Sequence, residues 1–481
     1  MSLKHKTFSA VRWTTLASVA RTIVQLAQVS ILARLLKPED YGLMAMVGVV
    51  LSFAALFTDL GLNSAYIQKQ DVTLEQRSSL FWLNFAMGVG LTLLVIVISP
   101  LLAWFFGDSR LTPLLMLSSL TFIITSAGQQ VRMTAEKNLN FRPVVITEIV
   151  AAVFGLLIAV SAALADFGVY SLILGSITTA FAATLLGWIV IAQGWRPYWQ
   201  FRFTDVKPYI RFGGAVVADA VFNNINRSID LLLGGRLLAA PQLGLYSVPR
   251  NLILQIQFMV NPIITRVGFP LIAQVQHDIP RVRLIYLNTL NMTASVNAPL
   301  YMGLAFFAPD AVHVLLGNKW TGSVDFLRIL AIWGFLRSTG NPIGSLLMGM
   351  GRAGLAMKWN FTLLFIISPA LWVGSYIGGA EGLAWAMLIT MSVILIPGWY
   401  ILIRPLCQAS LFEYLSATFK PLLIAIGSVG AVYLICRHIE LPLLRLATGI
   451  ALSVPLYWII SYKYNRDWID SMLNLIKIRS L

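Results

Sequence analysis

Five arginines, Arg21, Arg227, Arg250, Arg328 and Arg337, fall inside long apolar stretches of the chain. An arginine in the hydrocarbon core costs at least about 2.5–3.5 kcal/mol. Charges that expensive face a cavity and bind something. Each sits on a polar helical face. Asp219, Asn223, Arg227 and Asp230 follow i, i+4, i+8, i+11 spacing, and Arg21 is followed by Gln25 and Gln28. Arg250 leads to Gln257 and Asn261, and Arg337 leads to Asn341 and Ser345. These steps put each set on one side of a helix. Guanidinium binds two phosphate oxygens at once with its planar fork. The chemistry expected is therefore binding of an anionic, membrane-resident substrate by Arg21, Gln25, Asn223, Arg227, Arg250, Arg328, Arg337 and Asn341. Two structural alternatives stay open: Arg227 and Asp230 can neutralise each other at i, i+3, and Arg328 can snorkel to an interface. The acids inside the stretches, Asp59, Asp219 and Asp230, are candidates for binding a coupling H+ or Na+, with pairing to arginine as the structural alternative.

Little else in the sequence points to chemistry. The histidines His5, His277, His313 and His438 are scattered, so no metal-ligand spacing exists. Cys407 and Cys436 fall in different predicted regions, which argues against a disulfide framework. Gly349 to Gly354 fits G-x-G-x-x-G, but no strand precedes it. No Walker motif is present, so ATP does not drive this chain directly. The expectation is a protein with no catalytic residues, no metal and no cofactor beyond a coupling ion.

The elements that position these residues follow from composition. The chain has 481 residues, 58% hydrophobic and 11% charged, where soluble domains run near about 25% charged. A bilayer core of about 30 Å takes about 20 apolar residues per helix, and the sequence reads as about fourteen such spans. Among them are 12–36, 208–237, 242–267 and 324–349, which carry the arginines. The runs are too long for barrel strands. The net charge of +15 is concentrated in the segments on the N-terminal side of the membrane. That is the positive-inside pattern rather than a nucleic-acid surface, and it places both termini in the cytoplasm.

An internal repeat is visible. Arg34-Leu35-Leu36 through Gly42-Leu43 aligns with Arg236-Leu237-Leu238 through Gly244-Leu245. The fold class expected is an all-α polytopic membrane protein with two pseudo-symmetric six-helix lobes, 1–194 and 208–404. A cytoplasmic interfacial linker, 195–207, joins them through Trp195, Tyr198, Trp199, Phe201 and Phe203. Spans 13 and 14 (405–461) are appended, and 462–481 reads as an interfacial helix. Pro342 is a candidate kink within 324–349.

The segment Ala33-Arg34-Leu35-Leu36-Lys37-Pro38-Glu39-Asp40-Tyr41-Gly42 resembles the first-loop signature of polysaccharide flippases. These belong to the multidrug/oligosaccharidyl-lipid/polysaccharide exporter superfamily. Asn261 to Pro270 and Leu336 to Met348 are similar to spans 8 and 10 of colanic-acid-type exporters. The resemblance implies a bacterial inner-membrane protein with two lobes in a V shape. It implies flipping of an undecaprenyl-diphosphate-linked oligosaccharide repeat unit, powered by an ion gradient, for exopolysaccharide export. Membrane lipid, a polysaccharide polymerase and glycosyltransferases are the partners expected, and nucleic acid is not. The alternatives are an ion-coupled multidrug exporter of the same fold, or a non-transporting subunit of a polysaccharide synthesis complex.

Overall fold

Lipid offers no partner for a peptide N–H or C=O, so a chain this apolar must satisfy its backbone within helices or a closed barrel. Every regular element among the described residues is helical. The computed structural model describes residues 22–59 and 71–466, with residues 20, 66, 69, 468 and 469. Within helices, the side chains of residues 59, 204, 205, 207–220, 222 and 263–267 lie outside this description. So do Arg21 and most of the interfacial helix predicted over 462–481.

Among the described residues, eight helices are long and apolar enough to cross a membrane. A ninth appears if Ile279–Phe306 and Ala308–Leu315, bent by 79°, form one broken span. One of the eight, Ala353–Cys407, covers two predicted spans, because Gly378 and Gly379 leave helical geometry and Gly379 takes a φ of +57°. The chain is an all-helical, multi-pass membrane protein. It divides into two compact units, Met1–Gly244 and Leu245–Leu481.

The first unit contains α1 (Thr22–Leu35), α2 (Pro38–Asp59), α3 (Leu74–Phe106), α4 (Leu111–Lys137), α5 (Phe141–Leu164), α6 (Tyr170–Leu186) and α7 (Phe203–Leu237). It ends in the first turn of α8 (Ala240–Gln274). The repeat seen in the sequence is a physical contact here. A Cβ on Gly42 would overlap the carbonyl of Ala240, and a Cβ on Gly244 would overlap that of Pro38. The four residues are related by the repeat itself, since Pro38 aligns with Ala240 and Gly42 with Gly244. The two turns therefore meet backbone to backbone in a reciprocal pair, which only a residue without a side chain permits. Below it, Gly235 of α7 lies under Phe106 of α3 and Met46 of α2, and Asn224 donates from Nδ2 to Ser52 Oγ at 3.3 Å. At the same end of the unit, Arg110 binds Asp108 at 2.7 Å and Glu39 at 2.6 Å, tying the turn after α3 to the first turn of α2. Hydrogen bonds from Arg110 hold the Asp108 carboxyl below the usual carboxylate range.

At the opposite end, the predicted linker is pinned to α3. Trp195 stacks on Trp188 at 5.8 Å, with the Arg77 guanidinium 3.8 Å over its ring. Trp82 Nε1 donates to Tyr198 O at 2.8 Å, and the amides of Tyr198 and Arg202 donate to Ser78 and Ser79. Trp199 is 92% exposed, as suits an indole in a headgroup layer.

The second unit holds the rest of α8 with α9 (Ile279–Phe306), α10 (Ala308–Leu315), α11 (Val324–Thr339), α12 (Pro342–Gly349), α13 (Ala353–Gly398), α14 (Arg404–Cys407), α15 (Leu411–Cys436) and α16 (Pro442–Tyr464). The last two long helices dock on α9 and on each other. Tyr457 donates to Ser295 O at 2.9 Å and Asn465 to Ser295 Oγ at 2.8 Å. Asp310, buried at the start of α10, is held by Arg445 of α16 at 2.6 Å.

The reciprocal glycine contact predicts a coupled pair of substitutions. Gly42→Ala and Gly244→Ala should each cost about 1–3 kcal/mol. The double substitution should cost clearly less than their sum, because one separation of the turns relieves both clashes. Unfolding of the detergent-solubilised protein measures this, with Gly303→Ala as a control at which a Cβ meets nothing. Full additivity would show that the two contacts are independent.

Candidate functional site

The richest constellation lies in the second unit, where a proline breaks a helix. In an uninterrupted helix the N–H of residue 342 would bond the carbonyl of Ser338 four residues back. Pro342 has no N–H, so α11 stops at Thr339 and α12 begins at Pro342. The freed Ser338 carbonyl accepts instead from Nδ2 of Asn261 at 2.9 Å and, more weakly, from the Asn341 amide at 3.3 Å. Asn261 is oriented in turn by Asn297 of α9, whose Nδ2 donates to its Oδ1 at 3.2 Å. Tyr301, also on α9, shares a 2.6 Å hydrogen bond with Ser338 Oγ and donates to Ile253 O at 3.3 Å. Gly334 makes room for this convergence, because a Cβ there would stand 2.8 Å from the Tyr301 ring. Three helices, α8, α9 and α11, thus meet at a buried polar node where lipid alone would leave a bare carbonyl.

Arg337 is one residue before Ser338. Its Nε donates to Oε1 of Gln257 at 3.3 Å, and its guanidinium lies 5.3 Å from the Trp333 ring. Gln257 is one turn from Asn261 on α8, so the predicted face of α8 does meet that of α11. Arg250, two turns earlier on α8, is 4% exposed, with Nη1 3.4 Å from Asn251 Oδ1. Asn341 is exposed at the break. Arg328 is set apart at the start of α11, half-exposed and paired with Asp325 at 3.1 Å.

The first unit carries the remaining predicted residues. Asn223 and Arg227 of α7 are exposed, whereas Asp230 on the same stripe is fully buried. The stripe therefore divides along its length: its C-terminal end enters the packing beneath the glycine contact. Gln25 of α1 is exposed. Arg21 and the side chains of Asp59 and Asp219 lie outside the described residues.

Some functional candidates escaped the sequence reading. Asn297 and Tyr301 lie in an apolar stretch without a charge, and an asparagine there was the available signal. Glu148 lies eight positions into α5 and binds Arg132 of α4 at 2.8 Å; Arg132 also binds Glu136 at 2.8 Å. This ion triad borders a pocket of about 390 Å³ lined by Thr125, Gln129 and Thr147. An acid inside a predicted span was signal enough for Glu148. Among the described residues no group of His, Cys, Asp and Glu could hold a metal ion.

This geometry sits within a recognisable lineage. The sequence profile of polysaccharide biosynthesis proteins matches residues 31–325. The chain belongs to that family. It is 30% identical to the lipopolysaccharide biosynthesis protein WzxC of Escherichia coli (strain K12), over 90% of this chain and 88% of that one. It is 30% identical to the teichuronic acid biosynthesis protein TuaB of Bacillus subtilis (strain 168), over 95% of each. Its fold is similar to that of the lipid II flippase MurJ in an inward closed conformation. That likeness has a TM-score of 0.70 at 13% identity, covering 93% of this chain and 99% of that one.

The node at the break predicts an exchange of hydrogen-bond donors. Asn261→Leu should cost about 1–3 kcal/mol by leaving the Ser338 carbonyl buried and underbonded. In a Pro342→Ala background the same substitution should cost less, because the restored N–H can take that carbonyl. Equal costs in the two backgrounds, measured by unfolding in detergent, would show that Asn261 acts elsewhere.

Proposed function

We propose that this chain moves an undecaprenyl-diphosphate-linked oligosaccharide repeat unit across the bacterial inner membrane by alternating access. The observation that carries the reading is the Arg337 guanidinium. It is held beside a broken membrane helix by a neutral carboxamide, Gln257, at 3.3 Å. A guanidinium in that setting suits a diphosphate: it supplies charge and a fixed fork of donors. Names in the family support a polysaccharide-related cargo. In this reading about fourteen spans form two six-helix lobes, 1–194 and 208–404, with 405–461 appended. Both termini are cytoplasmic, following the Lys/Arg bias.

Arg227, Arg250 and Arg337, with Asn223 and Asn341, contact the diphosphate and its first sugars. Arg21, Gln25 and Arg328 receive it nearer the membrane surfaces. Asp59, Asp219 and Asp230 take up the H+ or Na+ that drives the return step. No bond is made or broken. Glycosyltransferases supply the cargo and a polymerase consumes it.

Proteoliposomes loaded with a lipid-linked oligosaccharide test this directly. Arg337→Ala should slow flipping about tenfold or more, the equivalent of about 1.4 kcal/mol. Arg337→Lys should recover part of the rate, because it keeps the charge and loses the fork. Unchanged rates in Arg227→Ala, Arg250→Ala and Arg337→Ala alike, at matched reconstitution, would reject the site.

A further inference from the structure

A second feature of the first unit combines an apolar surface with a cation. Helices α2, α3 and α7 border a groove of about 420 Å³. Its lining is hydrocarbon throughout: Phe53 and Phe57 from α2, Leu94, Leu102 and Phe105 from α3, and Leu232 from α7 are among the residues that form it. Several are open to the surroundings, with Leu94 at 53% and Phe57 at 42% exposure, so the groove opens sideways on the surface that lipid must cover. From residue 91 to residue 106, α3 contributes about 22 Å of its length at 1.5 Å per residue.

One end of this groove is charged. Arg236 lies one turn beyond Leu232 on the same stripe of α7. Its guanidinium is 5.9 Å over the ring of Phe105, itself a wall of the groove. Its Nη1 is also the nearest atom to a Cβ built on Gly107, at 3.7 Å. Arg236 is exposed, and among the described residues it is paired with no carboxylate. The neighbouring acids, Asp108 and Glu39, are taken by Arg110. A hydrocarbon groove with an exposed guanidinium beside one end is complementary to an amphiphile with one chain and an anionic head.

We infer that this groove holds the polyprenyl chain of a polyprenyl diphosphate, with Arg236 against the diphosphate. The inference rests on the flippase reading for the identity of the cargo. A single groove accommodates a single chain. A phospholipid would leave its second chain outside and bring one phosphate instead of two. The groove would keep the chain beside the protein while the glycan head moves, so that head and tail are not released separately.

Photolabelling tests this without requiring transport. The probe is a polyprenyl diphosphate with a terminal benzophenone and no sugar, added to the full-length protein in nanodiscs and mapped by mass spectrometry. Labelling is expected on peptides carrying Phe53, Phe57 and Leu94. Excess unlabelled polyprenyl diphosphate should compete it away, and the same excess of phosphatidylglycerol should not. Leu94→Trp, which fills the groove from an exposed position, should reduce labelling several-fold. Arg236→Gln should weaken binding about tenfold. Equal competition by phosphatidylglycerol would identify an ordinary lipid contact and overturn the inference. So would labels elsewhere in the chain, or labels unmoved by both variants. The two readings separate cleanly. Groove labelling in a protein that fails to flip its cargo would defeat the proposed function and leave the groove. Flipping with labels elsewhere would do the reverse.

Discussion

Two peptide carbonyls facing two glycines set the geometry of the first unit. Where the first turn of α2 meets the first turn of α8, the backbones approach too closely for any Cβ. That approach brings α2 and α7 side by side, because one paired turn opens α2 and the other follows directly on the end of α7. The consequences run down both helices: Gly235 fits under Phe106 and Met46, Asn224 reaches Ser52, and Asp230 is buried. The wall of the apolar groove follows from the same constraint. Leu232 and Arg236 sit beside α3 only because α7 is held there.

The second unit uses the opposite device. Glycine removes a side chain to let backbones touch; Pro342 removes a hydrogen-bond donor and leaves a carbonyl that side chains must satisfy. Asn261 supplies the donor, Asn297 orients it, and Tyr301 fixes the neighbouring hydroxyl. In an apolar surround an unmet carbonyl costs roughly 1–3 kcal/mol, so this polar node pins α8, α9 and α11 together at the break. Arg337 stands next to the pinned residue, and its place on α11 is as determinate as the node beside it.

The arginines of this chain serve two ends, distinguished by what holds them. Arg110, Arg132 and Arg445 each meet a carboxylate and tie helices or turns together. Arg337 has a carboxamide on its Nε and a tryptophan ring nearby, and Arg236 has a phenyl ring beneath it. The phenyl ring beneath Arg236 orients that guanidinium without neutralising it.

Much of this was legible in the sequence, because it depends on spacing along one helix. Apolar length gives membrane helices, Gly378-Gly379 gives the division of the long C-terminal stretch, and the Gln257 and Asn261 spacing gives the face that meets Arg337. The offset between Gly42 and Gly244 disclosed a repeat. That the two copies touch each other was decided by the tertiary structure. Periodicity names the face a residue occupies and is silent on what lies opposite. Asp230 shares a stripe with Arg227 yet is buried while Arg227 is exposed. Asn297 and Tyr301 gained their roles only when α9 was laid against the break. Glu148 gained its partner only when Arg132 of α4 was laid beside it. One-dimensional order sets which groups share a side of a helix. Three-dimensional packing sets which are desolvated and by whom they are met, because burial and hydrogen bonding depend on neighbours distant in the chain.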